Sequence, residues 1–205
     1  METKKLFEER RSVNFFDKNK KIEDEVLRNI VNLAVLAPSA FNLQPWKIIA
    51  VKSESAKEKL YKLSNNQPKV LEAPVTLIIA GDKAGYEKDN QEWEELVKIL
   101  GGNREAVEGY QNFAAQLYGS TDEKKVKFAE SNASLLAMSL MYAAKEYGVE
   151  SHPMSGIDFE GIAREFELGD RYSVVMTIGL GYFDKEKELY PRRKRKLYEE
   201  IVQEV

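Results

Sequence analysis

Cysteine is absent from this 205-residue chain, and histidine occurs once, as His152. The first absence excludes disulfides, thiolate nucleophiles and Cys-based zinc or iron–sulfur sites. The second excludes, by count, metal sites built on paired histidines. A Ser-His-Asp hydrolase would have to rest on His152, beside the stiff Pro153, and no Gly-x-Ser-x-Gly elbow supplies its nucleophile. A lone histidine of this kind reads as a hydrogen-bonded packing residue. No apolar run is long enough to span a membrane, and Met1-Glu2-Thr3-Lys4-Lys5 lacks the apolar stretch of a signal peptide. The expectation is a cytoplasmic protein without a membrane partner. Also missing is a Gly-x-Gly-x-x-Gly after a strand, so a Rossmann dinucleotide site is not supported. An enzyme so poor in reactive side chains borrows its chemistry from an organic cofactor.

What is present fills one domain over 1–205, with a helical excursion at about 82–120 and a C-terminal arm from about 185. Hydrophobic residues make up 43% of the chain, enough for a core, and charged residues 32%, enough to solvate its exterior. The net charge is −3, so basic clusters are local features of a mildly acidic protein, which argues against a nucleic-acid partner. Leu6 to Arg10 reads as the end of a short helix. Ile22 to Ala37 is a helix apolar over most of its circumference, with Asp24 and Glu25 in its first turn. Trp46 to Val51 is the first core strand, and Ser53 or Ser55 caps a helix through about Leu63. Asn65 to Pro68 is a turn, followed by a short helical piece, Lys69 to Glu72. Val75 to Gly81 is an apolar strand of the mid-sheet kind. Asn90 to Leu117 is helical in pattern, with breaks near Gly101-Gly102 and near Gly109. Ser120 to Glu123 reads as a capping box opening a long helix to Tyr147. Asp158 caps another helix to about Leu168, and Tyr172 to Leu180 is the last strand. Helices and strands do not alternate strictly, so the expected class is α+β, a mixed β-sheet flanked by helices. The excess of apolar helix surface predicts a homodimer.

Three segments carry the functional signal. Pro38-Ser39-Ala40-Phe41-Asn42-Leu43-Gln44-Pro45-Trp46 joins a helix to a strand. Two prolines stiffen it, and Ser39, Asn42 and Gln44 can hydrogen-bond a flat, polar-edged ligand; solvated turn residues are the plainer reading. Near the N-terminus stands Arg10-Arg11-Ser12, and near the C-terminus Pro191-Arg192-Arg193-Lys194-Arg195-Lys196. Guanidinium forks beside a hydroxyl suit a phosphate, and the second cluster could close the same site if the chain ends meet.

Together with Asn66-x-x-Lys69 and His152-Pro153-Met154-Ser155-Gly156, these motifs resemble the FMN-dependent nitroreductase family, in the same order from about Leu6 to about Arg195. The resemblance implies a nitroreductase-like three-layer sandwich assembled as an intertwined homodimer, with the long helix at the interface. It implies bound FMN, with NADH or NADPH as co-substrate and a small aromatic electron acceptor, a nitroaromatic or a quinone. Arg10, Arg11 and Ser12 would bind the phosphate and ribityl region. Arg192 and Lys194 would complete the phosphate site, with Arg193 as the substitute in register. Pro38, Ser39, Asn42 and Gln44 would line the flavin from the partner subunit, and Asn66 and Lys69 would address its pyrimidine edge. The backbone amides of Ser155 and Gly156 would sit over N5 and O4. No side chain is catalytic in this scheme and no metal is used: the chemistry is at N5, and Lys69 tunes the flavin by stabilising negative charge at N1 and O2.

Two departures stand out. Asn14 occupies a place where the family often has Lys or Arg near the flavin edge, which lowers the expected flavin potential. Ser155 stands where some members have Glu, which alters substrate contacts more than flavin binding. Other reactions on the same flavin fold, flavin destruction or dehalogenation, and a non-catalytic flavin-holding role are the alternatives. A yellow colour and NAD(P)H oxidation discriminate among them.

Overall fold

The computed structural model describes residues 3–205. Its centre is a four-stranded sheet in the order β1-β2-β4-β3, formed by β1 (Trp46–Val51), β2 (Val75–Asp82), β3 (Glu150–Met154) and β4 (Tyr172–Gly181). All three strand pairs are antiparallel. The parallel character expected of a mixed sheet is confined to an isolated bridge between Ser12 and Ser151. β2 is buried at every position, as its unbroken apolar run requires of a strand covered on both faces. β1, expected in the core, is an edge strand that leaves Lys47 and Ala50 exposed. β3 is the other edge, and its sequence, with Pro153 inside it, gives little strand signal. An edge tolerates the proline because one side of the backbone has no ladder to complete.

Helices cover both faces. On one lie α2 (Asp24–Ala34) and the 25-residue α7 (Asp122–Glu146), which bury Leu27, Ile30, Leu136 and Leu140 against Leu77, Ile79 and Ile178 of the sheet. On the other lie α3 (Glu54–Leu63), α4 (Lys69–Glu72) and α8 (Phe159–Glu165), over Ile78, Ala80 and Val174. The α+β sandwich expected from the sequence is the fold observed. α5 (Glu92–Ile99) and α6 (Arg104–Tyr118) form the excursion and pack on Leu43 and Phe128. The chain turns at Gly101 and Gly102, both at positive φ, where only glycine sits without strain. Gly109 does not break the helix as expected; it lies inside α6, because one glycine costs a helix only about 1 kcal/mol.

The helix starts follow their side chains. Ser53 caps α3, accepting from Ala56 N–H at 3.3 Å, and Asp158 caps α8, accepting from Gly161 N–H at 2.8 Å. At α7 the cap is Thr121, which accepts from Lys124 N–H at 3.3 Å; the box beginning at Ser120 is displaced by one residue. α1 (Thr3–Glu9) and the exposed α9 (Tyr198–Ile201) complete the chain. α2 was expected to be a buried helix, apolar over most of its circumference. Within one chain only one side is buried: Leu33 and Leu36 remain exposed, as does Leu135 of α7. With Leu6, Pro38 and Met138 they line an apolar concavity of about 540 Å³. No helix among the described residues is long and apolar enough to cross a membrane.

Candidate functional site

Two loops and both chain ends meet along the β3 edge. Residues 10–14 run beside β3: Ser12 bridges to Ser151, and Val13 N–H donates to the Ser151 carbonyl at 3.0 Å. Past the end of β3, the Gly156 carbonyl accepts from the Asn65 side chain at 2.9 Å and from Gln67 at 3.1 Å. The turn carrying Asn66 is thereby tied to Ser155-Gly156. Lys69 follows at the start of α4, near enough to His152 for its charge to act on the ring. From the far end of the chain, the Arg192 guanidinium donates to the carbonyls of Glu8 and Arg10, and Arg11 donates to the Tyr190 carbonyl at 2.6 Å.

Cations thus gather along this edge. Arg10, Arg11, Ser12, Asn14, Arg192, Arg193 and Arg195 line one concavity of about 380 Å³, and no carboxylate lines it among the described residues. Burial lowers the Arg10 pKa, and the like charges of Arg192, Arg195 and Arg11 lower it further, against an opposing effect of Tyr142. Such a cluster is electrostatically frustrated until an anion enters, and guanidinium forks beside a hydroxyl match a phosphate. The residues present therefore fit the terminal phosphate of a mononucleotide. Lys194, expected in this wall, is not in it; Arg193 and Arg195 are.

The loop 38–46 does not join this group within the chain. It lies against α7, where the Asn132 side chain accepts from Ala40 N–H at 2.9 Å and donates to the Phe128 carbonyl at 2.7 Å. The Ser39 hydroxyl accepts from Gln44 N–H at 3.0 Å, and Pro38 lines the apolar concavity. Phe41 is surrounded by Trp93, Tyr110, Phe113 and Tyr118, with ring centroids 5.8–6.5 Å away. Of the six non-glycine residues at positive φ among those described, Phe41, Asn42 and Gln44 fall in this loop, and Asn65 and Asn66 in the turn beside Gly156. Backbone held in that region costs on the order of 1–3 kcal/mol per residue and persists where surrounding contacts over-determine it, as at binding sites.

The sequence pattern of the Nitroreductase family matches residues 7–182. The chain belongs to that family. It is 37% identical over 200 residues to a Bacillus subtilis protein, MhqN, carried under the name of an NAD(P)H nitroreductase, covering 97% of this chain and 96% of that one. The crystal structure of the B. subtilis nitroreductase-like protein ydfN superimposes with a TM-score of 0.90 at 33% identity, over 100% of this chain and 99% of that one. A nitroreductase-like protein of Exiguobacterium sibiricum, solved in complex with FMN, gives a TM-score of 0.79 at 26% identity over 95% and 94% of the two chains.

Several residues of the candidate site escaped the motif reading. Arg195 lies in the same basic run as Arg192, and only the path of the arm selects it over Lys194. Asn65 and Gln67 flank Asn66, and polar amides in a turn give no sign that two of them converge on one distant carbonyl. His152 was read as a packing residue, and its Nδ1 lies 2.8 Å from the Val13 carbonyl, so Nδ1 carries the proton in the neutral ring. Burial, and secondarily the Lys69 ammonium, push the ring's pKa down to about 4. The unfolded chain, with its histidine near 6.5, then binds more protons than the folded one between those values. Stability contributed by the neutral ring is complete above about pH 6.5 and is lost as pH falls toward 4. The full shift corresponds to about 3 kcal/mol. Because the ring is only half-buried, the expected loss is about 2 kcal/mol. Denaturant unfolding of the native protein and of His152→Asn, measured from pH 7 to pH 4, should diverge by that amount; parallel curves would show that the ring titrates normally.

Proposed function

We propose that this chain is an FMN-dependent oxidoreductase, acting as one flavin-binding domain, that takes hydride from NADH or NADPH and passes two electrons to a nitroaromatic or quinone acceptor. The observation that carries the reading is the meeting of both chain ends and the strained turn at Asn65-Asn66 along one basic edge. When bound, FMN supplies the centre that accepts and releases hydride. Arg10, Arg11, Ser12 and Arg192 would hold its phosphate, with Arg193 and Arg195 in place of Lys194. Lys69 would hold negative charge at the pyrimidine edge, with Asn66 beside it. Ser155 and Gly156 would present backbone N–H groups to the ring. Pro38, Ser39, Asn42 and Gln44 would reach the flavin of a second subunit, which explains why they stand apart from the basic edge in one chain. A homodimer also covers Leu33, Leu36 and Leu135, whose exposure is otherwise unfavourable. No second nucleotide motif exists, so nicotinamide and acceptor would use one pocket in succession.

The recombinant protein should purify yellow, release FMN and not FAD on denaturation, and sediment as a dimer at micromolar concentration. Initial rates with NAD(P)H and a quinone should give parallel double-reciprocal lines. A colourless protein that takes up no FMN would overturn the reading, and intersecting lines would overturn the shared pocket. Lys69→Ala should lower the flavin midpoint potential by tens of millivolts, the order of one nearby charge at intermediate dielectric, and Asn14→Lys should raise it. A potential that moves in neither variant would remove both residues from the pyrimidine edge.

A further inference from the structure

We propose that His152 is a positioning residue of the cofactor site: through the Val13 carbonyl its ring fixes where the segment Arg10–Asn14 lies on the edge of the sheet. The inference rests on the flavin reading above, and none of the motifs behind that reading assigns this ring a role.

Residues 10–14 carry the N-terminal half of the phosphate site, yet they belong to no helix or strand. A segment outside regular structure has no ladder to set its register, so its position depends on individual contacts. Two hydrogen bonds are present at Val13. Its N–H donates to the Ser151 carbonyl at 3.0 Å, within the Ser12–Ser151 bridge, and its carbonyl accepts from the His152 ring, donating from Nδ1, at 2.8 Å. The first is a backbone contact that any sequence could make. The second is a side chain's, and it closes the peptide that leads from Val13 into Asn14.

Val13 is 1% exposed, so water does not readily replace the ring as donor, and an unpaired buried carbonyl is costly. Val13 itself packs with Phe16 and Ala73, which fixes its side chain but not the direction of its carbonyl. Arg10, Arg11 and Ser12 precede the pinned peptide directly, and Arg192 is anchored in turn on the Glu8 and Arg10 carbonyls. A shift of the segment therefore moves both halves of the phosphate site together. Lys69 is near enough for its charge to act on the ring. The ring has one further nitrogen, Nε2, which is an acceptor in this tautomer and cannot itself hold a phosphate.

Because the chain has a single histidine, its imidazole nitrogens give one unambiguous pair of ¹⁵N resonances. In the flavin-loaded protein at neutral pH, Nδ1 should show the protonated and Nε2 the unprotonated shift. The opposite tautomer would overturn the proposal, since Nδ1 could not then donate. His152→Leu removes the donor and should raise the FMN dissociation constant at least about tenfold, measured by flavin fluorescence on dilution. His152→Asn places an amide donor where Nδ1 stands and should return the constant to within about threefold of the native value. A merely structural role would lower the melting temperature of the leucine variant and leave its flavin affinity unchanged, and that result overturns the proposal. An asparagine variant as weak as leucine overturns it too. If His152→Leu does not fold, the tautomer of the unaltered protein and the asparagine variant still decide. Native protein that binds no FMN defeats the flavin reading itself and this proposal with it. Tight binding by the native protein with no response to His152 defeats only the proposal.

Discussion

Exchanging Arg10 and Arg192 together for alanine is expected to strip the protein of its flavin while leaving the fold intact. Each guanidinium in contact with a phosphate makes charge-assisted hydrogen bonds worth about 1.5–3 kcal/mol. Losing both corresponds to roughly a hundredfold to ten-thousandfold weaker binding. Neither residue supports the core: Arg10 is half-buried at the rim, and Arg192 sits on an exposed arm. Removing two of a group of mutually repelling cations also relieves the repulsion among those that remain. The unloaded variant should therefore unfold no more readily than native protein stripped of flavin. Single changes in the arm separate the sequence-based assignment from the structural one. Arg195→Ala should weaken FMN binding and Lys194→Ala should not, because only the former lines the concavity. Ultrafiltration followed by the visible absorbance of the retained protein reads all of these variants. Full flavin occupancy in the double variant would place the phosphate elsewhere.

The contrast between Arg195 and Lys194 shows where sequence reading stops. A basic run signals an anion site through charge alone, and charge is indifferent to which of five neighbouring side chains turns inward. That choice is made by the path of the arm, which depends on Arg192 finding the Glu8 and Arg10 carbonyls across more than 180 residues. Strands β2 and β4 were legible because their apolar runs require cover on both faces. β3 was not, since Glu150-Ser151-His152-Pro153-Met154 has neither strong β propensity nor alternation and becomes a strand only by pairing with β4. The motif Pro38–Trp46 was visible as composition, whereas the left-handed backbone of Phe41, Asn42 and Gln44 was not. Phenylalanine rarely adopts that conformation, and here the loop is held by Asn132, Asn90 and the ring of aromatics around Phe41. Gly109 failed as a helix breaker for the opposite reason: local propensity is weak, and α6 gains more from packing Val107 and Ala114 than one glycine costs.

Gly81→Ala should be among the most damaging single changes in the chain, costing about 3 kcal/mol or more of stability. Gly81 lies near the end of β2, paired with Trp46 on one side and Ser173 on the other, so the strand cannot move sideways. A methyl group there would stand 2.4 Å from the carbonyl carbon and oxygen of Ala129 and 2.9 Å from its Cβ. Those carbonyl atoms are the backbone of α7, which no rotamer change can displace. Overpacking usually costs about 1–3 kcal/mol when side chains yield; here a 25-residue helix or the central strand must yield instead. The same helix carries Asn132, which holds the loop at Ala40, so the displacement should reach the loop 38–46 as well as the core. Adding Ala129→Gly should recover little, because the closest contacts are to backbone and survive the loss of that Cβ. Gly109→Ala provides the opposing control. No atom lies within 4 Å of its added methyl, and φ is helical, so that variant should gain about 0.5–1 kcal/mol. Urea unfolding of the flavin-loaded proteins measures both. If Gly81→Ala unfolds within about 1 kcal/mol of the native protein, the strand and α7 are not packed as closely as the structure has them.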